Sequence, residues 1–186
     1  MKLAVNTRTA GDAHKVPLAE LARTVAGEVY FDPFTRGRYA TDASIYQIMP
    51  QGVVVPKHMG DLEAVLDFAN REGTSITARG GGTSQSGQTV GSGLIVDFSK
   101  YLNRLLHLDV EKGICVVEPG MVLDDLNRLL APHGLWFPID VSTGSRATIG
   151  GMAGNNSCGT RSLRYGIMRD CVVEIDGLLA NGSAAV

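Results

Sequence analysis

Residues 78–93 read ARGGGTSQSGQTVGSG, and the reading of this stretch decides how the rest of the chain is understood. Three consecutive glycines, Gly80, Gly81 and Gly82, are followed by Gly87, Gly91 and Gly93. That is too many for a helix or a strand, because glycine loses more backbone entropy on ordering than any other residue. Such a run suits a backbone that wraps closely around a guest with its N–H groups turned inwards. The guest that bare amides favour is an anion, and a diphosphate is the commonest large one.

Elimination narrows the choice. Residues 82–89 read G-x-x-x-x-G-Q-T, one residue from a P-loop. The missing residue is the lysine whose charge reaches the terminal phosphates, and Gln88 carries none. A P-loop also opens a helix, whereas residues 90–93 lead into the strand-like run 94–97. A dinucleotide G-x-G-x-x-G fingerprint fails as well, because Gln85 stands where the third glycine belongs. The plain alternative is a surface loop with no ligand, which composition alone leaves open.

The 186 residues suffice for one domain, or for two small lobes sharing a ligand. With 44% hydrophobic and 19% charged residues the balance is globular. A net charge of −2 spread over scattered cations gives no field for nucleic acid. Cys115, Cys158 and Cys171 form no C-x-x-C pair, and three thiols fall short of the four that an iron–sulfur cluster takes. Four isolated histidines supply no metal constellation, so no metal site is expected. Odd cysteine number without a secretory signal points to the reducing cytosol, and no apolar run reaches membrane-spanning length.

Working outward from the glycine stretch, residues 75–79 and 94–97 read as the flanking strands. Residues 53–56 read as another, joined to 75–79 by a helix with Asp61 as its cap. Leu62, Val65, Leu66 and Ala69 form the inner face of that helix, and Gly73 ends it. Upstream, Pro17 opens a helix to about residue 27 with Leu18, Leu21 and Val25 on one face. Residues 1–15 read as a frayed end, and residues 31–47 as an aperiodic arm lying on the next unit. Downstream, residues 105–109 and 114–118 read as a hairpin. A helix follows with Val122, Leu126, Leu129 and Leu130 inward. Thr148 caps a short helix whose first turn holds Gly150 and Gly151, a second patch of bare backbone suited to an anion. Residues 171–176 read as a strand and Asn181-Gly182 as a hairpin turn. So few residues follow that turn that the second lobe is expected to be cut short. The units expected are an arm at 1–49, a first α/β lobe at 50–100 and a second lobe at 101–186, with the ligand between the lobes.

The matching pieces are Val54-Val55-Pro56, residues 77–88 (TARGGGTSQSGQ), 117–120 (VEPG), 131–138 (APHGLWFP), 148–159 (TIGGMAGNNSCG) and Arg164-Tyr165-Gly166. In this order they resemble the flavin-binding domain of the p-cresol methylhydroxylase/vanillyl-alcohol oxidase superfamily. The branch is that of D-lactate dehydrogenase and the glycolate oxidase flavoprotein subunit. The resemblance covers residues 36–182 and implies an α+β, two-lobed FAD-binding domain whose second lobe is truncated.

By that resemblance, backbone N–H groups from Arg79 through Gly80, Gly81, Gly82 and Thr83 to Ser84 cradle the diphosphate, with Gln88 nearby. Pro138, Thr148, Gly150 and Gly151 follow the other side of the dinucleotide, and Asn155, Gly159, Tyr165 and Gly166 continue along it. For Asn155, plain helix termination competes with a cofactor contact. Relatives that attach flavin covalently use a histidine in the glycine loop. Thr83 and its neighbours include none, so FAD is expected to be non-covalent and Cys158 to be a buried free thiol. The resemblance further implies hydride transfer from a 2-hydroxy acid to FAD, with an iron–sulfur domain or subunit as a possible electron acceptor and a cytoplasmic protein reaching the inner membrane through partners. The alternatives are a flavin enzyme for another alcohol, phenol or sugar, or a non-catalytic remnant. No catalytic residue carries over, because the family's substrate domain is missing from the sequence.

Overall fold

Gly52–Val55 (β2) and Leu94–Asp97 (β4) are buried along their whole length, as their unbroken apolar runs require of strands covered on both faces. With Ile76–Arg79 (β3) and Glu28–Tyr30 (β1) they make a sheet in the order β1-β2-β4-β3. β2, β4 and β3 are parallel, with Val54 beside Val96 and Arg79 beside Asp97, while β1 runs antiparallel on the far edge. The coordinates are a computed structural model that describes residues 17–185. The expected frayed end at 1–15 lies outside the described residues.

Helices Leu18–Thr24 (α1) and Met59–Glu72 (α3) cover one face of the sheet, where Leu18, Leu21, Val54, Val65, Phe68, Leu94 and Val96 form a core. Phe68 takes the inward place expected for Leu66. α1 stops three residues short of Gly27, because Val25 turns extended (φ −98°, ψ 144°) towards β1. Asp61 does not cap α3; His58 holds that position. The Asp61 carboxylate, 1% exposed, accepts the amides of Ala26 and Lys57 at 2.8 Å each, stitching the α1–β1 turn to the β2–α3 turn. An aspartate is favoured throughout the first helical turn, so sequence does not separate the two roles.

The arm is more regular than expected. Asp32 accepts the Thr35 amide at 2.8 Å and caps Pro33–Tyr39 (α2), with proline in the first turn.

Beyond the sheet, hairpin Leu105–Asp109 (β5) and Ile114–Val117 (β6) lays Leu105, Leu108, Cys115 and Val117 over Met121, Leu126 and Leu130 of the Leu123–Leu130 segment (α4) and its approach. Leu129, expected inward, is 46% exposed, and Leu123 is buried in its stead. Short helices Ile149–Gly154 (α5), Ser162–Tyr165 (α6) and Met168–Cys171 (α7) follow. α5 and α7 pack around Leu123, Ile139, Ala147, Met152 and Met168.

The strand expected at 171–176 is absent: Cys171 ends α7, and Val173 and Ile175 lie exposed without a paired neighbour. β-branched residues suit a strand only where another strand lies alongside. The Asn181-Gly182 turn does form, joining Gly177–Leu178 (β7) to Ala184–Ala185 (β8), with Gly182 at φ +82°.

Candidate functional site

The glycine stretch is the connection from β3 to β4, emerging at the C-terminal end of two parallel strands. This is where open parallel sheets place ligands. Among the described residues, the amides of Gly80, Gly81, Gly82, Thr83 and Ser84 donate to no protein acceptor. Among the described residues the Thr83 hydroxyl makes no hydrogen bond, and the Ser84 hydroxyl accepts only the Ser86 amide at 3.4 Å. Gly82 sits at φ +64°, a left-handed conformation that a side chain would strain. The arrangement is a row of neutral donors without an acceptor.

Arm residues hold the loop from behind. The Arg79 guanidinium donates to the carbonyls of Thr41 (2.8 Å), Tyr39 (3.3 Å) and Thr89 (3.3 Å) and lies over the Tyr39 ring. Burial lowers its pKa below the ordinary arginine value. Tyr39 donates to the buried Asp97 at 2.7 Å. Burial first, then that carboxylate, raises the phenol's pKa well above its usual range. The Ala43 amide donates to the Gly82 carbonyl (3.2 Å), the Thr89 hydroxyl to Asp42 (3.0 Å), and Tyr46 lies where a side chain on Gly87 would stand. These partners escaped sequence reasoning, which saw only an aperiodic arm.

Residues 143–155 form the other wall. A Cβ on Gly80 would collide with the Thr148 side chain, and one on Gly81 with the Arg146 carbonyl. Gln88 donates to Asn155 at 3.1 Å, linking the loop to the C-terminal cap of α5. The first glycine patch therefore meets residues at and around the second, Arg146, Thr148 and Asn155. The second, however, does not offer free amides. Ile149 donates to the Met121 carbonyl and Gly150 to that of Pro119, both at 2.8 Å, while Gly151 donates to the capping Thr148 hydroxyl at 3.3 Å. Gly150 is bare because Pro119 is packed against it.

The remaining expected residues have other neighbours. Gly159 lies against Asp140, whose carboxylate takes the Thr160 hydroxyl and the Arg161 amide. The Thr160 bond foremost, then the Arg161 amide, lowers the pKa of Asp140. Tyr165 meets Trp136 edge-on at 5.2 Å, and Gly166, at φ +86°, faces Asp170. Pro138 borders a 240 Å³ cavity with Cys115, Leu130, Trp136 and Cys171. Pro138, Gly159, Tyr165 and Gly166 share no hydrogen bond or ring contact with the loop among the described residues. Cys158 is exposed, contrary to the buried thiol expected, because residues 155–158 run along the surface after α5 ends. No helix among the described residues is long and apolar enough to cross a membrane.

The FAD binding domain family matches residues 50–185. D-2-hydroxyglutarate dehydrogenase of Pseudomonas putida is 40% identical over 159 residues, 84% of this chain and 16% of that protein. Glycolate oxidase subunit GlcD of Bacillus subtilis is 36% identical over 163 residues, 85% of this chain and 34% of that one. The chain thus spans about a sixth to a third of these relatives. Among solved structures, 6-hydroxy-D-nicotine oxidase of Arthrobacter nicotinovorans superposes with a TM-score of 0.76 at 22% identity, over 87% of this chain and 35% of its own. That likeness is one of fold.

Proposed function

The chain belongs to the FAD-binding domain family, and from that premise we propose that it is the cofactor-holding part of a flavin-dependent dehydrogenase of a 2-hydroxy acid. The observation that carries the reading is the row of unpaired amides at Gly80, Gly81, Gly82, Thr83 and Ser84. Their chemistry fits a diphosphate: several neutral donors close together, with no carboxylate among them. FAD, when bound, supplies the two-electron acceptor for such an oxidation.

The protein's part is to bind and orient. The loop amides and the Thr83 and Ser84 hydroxyls would take the diphosphate oxygens. Gln88 and Asn155, bonded to each other, would close the groove beside them. Thr148 and Gly151 would bound the cofactor from the α5 side, and Gly150 would serve by letting Pro119 approach. Pro138, Gly159, Tyr165 and Gly166 would line the rest of its length. No histidine lies between residues 80 and 93, which supports non-covalent attachment. The first lobe is taken as 50–100 and the second as 101–186, behind an arm at 1–49. The substrate class rests on the relatives' identities, and a hydroxy acid dehydrogenase needs an electron outlet such as an iron–sulfur domain or subunit. A cytoplasmic location, with contact to the inner membrane only through partners, completes the reading.

Purified chain titrated with FAD should quench flavin fluorescence saturably, and acid denaturation should release all of the flavin into the supernatant. In the full-length protein, D-2-hydroxyglutarate, D-lactate and glycolate should be compared as donors to an artificial dye. A chain indifferent to FAD refutes the site. A flavin-loaded protein that none of the three acids reduces refutes the substrate class.

A further inference from the structure

We propose that Arg79 is a positioning residue that locks residues 39–46 of the arm against the glycine loop, so that the arm forms part of the cofactor site. The inference rests on the loop being the diphosphate site, and it adds a component that lies before the residues the family matches, 50–185.

Arg79 ends β3, immediately before the first free amide. A guanidinium at that place suggests a phosphate ligand, yet three of its five donors go to carbonyls, two from the arm (Tyr39 and Thr41) and one from the far end of the loop (Thr89). Gly82 packs so closely that a Cβ there would stand 2.6 Å from an Arg79 Nη atom. One side chain thus fixes both ends of the loop to the arm. A planar fork reaches three acceptors in fixed directions, which a lysine ammonium does not reproduce. The Ala43–Gly82, Thr89–Asp42 and Tyr46–Gly87 contacts follow the same seam. Together they hold the loop that carries the amides of Gly80 to Ser84 without consuming those amides. The gain for binding is that a held loop loses less freedom when a ligand arrives.

Coupling is reciprocal, so a diphosphate ligand should in turn tighten the arm. The test uses the full chain with ADP and FAD as probes, read by isothermal titration and by amide hydrogen exchange of peptides covering residues 39–47 and 80–91. In the parent, both probes should slow exchange in both segments. Arg79→Lys should weaken both probes about tenfold, consistent with the loss of hydrogen bonds from a charged group. It should also abolish the slowing in the arm while leaving the sheet's exchange unchanged. Should Arg79→Lys fold poorly, Asp42→Ala cuts the seam at Thr89 without touching the sheet, and about a threefold loss is expected. The proposal is overturned if arm exchange ignores the probes in the parent, or if the variants bind both probes as the parent does. A parent that binds neither FAD nor ADP removes the site itself, and this inference with it.

Discussion

Gly81→Ala puts a single methyl group at the meeting of the two walls. Its Cβ would stand 3.0 Å from the Arg146 carbonyl carbon and closer still to the oxygen. Both are backbone atoms, so no rotamer change relieves the overlap. Gly81 is not at positive φ, so the penalty is steric rather than conformational. Overpacking of this kind costs about 1–3 kcal/mol. Arg146 is fixed by the hydrogen bond its amide donates to the Thr143 carbonyl at 2.8 Å, whereas Gly81, between the ends of the loop that Arg79 holds, makes no hydrogen bond among the described residues; the loop should therefore give way at Gly81. Binding must then drive it back against the wall. If the whole cost falls on binding, the affinity for FAD drops by about fivefold to 150-fold, with little change in the unfolding midpoint. The control is Gly37→Ala, where nothing lies within 4 Å of the added Cβ, and affinity should be unaltered. Fluorescence titration with FAD and thermal unfolding, run on all three proteins, measure both quantities. An alanine variant that binds within twofold of the parent and unfolds at the same temperature would refute the packing of loop against wall.

Other perturbations probe the supports. Tyr39→Phe leaves the buried Asp97 without its phenol donor and should lower stability by about 1–3 kcal/mol, read by urea unfolding. Thr148→Ala removes the α5 cap and should cost about 1 kcal/mol in the same assay. Glu28 accepts from Lys100, Tyr101 and Tyr30, and those hydrogen bonds, Lys100's foremost, hold its carboxyl at about 2. A depressed carboxyl stabilises the fold above its unfolded pKa. That contribution is lost as pH falls from the ordinary 4.5 towards about 2. Glu28→Gln should flatten the unfolding midpoint over that acid range and leave its pH dependence near neutrality unchanged.

Much of the chain was legible because its signals are local. β4 at Leu94–Asp97, the β5–β6 hairpin, the Thr148 cap and the Asn181-Gly182 turn each depend on residues within a few positions of one another. The glycine stretch announced an anion site for the same reason: consecutive bare residues rule out helix and strand wherever they occur. Tertiary structure decided what each glycine is for. A missing Cβ admits a ligand or a neighbouring chain equally well, and sequence carries no sign of which. Gly82 serves the loop's own turn, Gly150 makes room for Pro119, and Gly80 and Gly81 let the second wall approach. The amides of α5, bare in sequence, are consumed by Pro119, Met121 and Thr148. Those of Gly80 to Ser84 stay free because Arg79 and the arm grip the loop through carbonyls and side chains instead. That grip joins residues about forty positions apart, a separation at which composition and periodicity are silent and only the folded chain brings donor to acceptor.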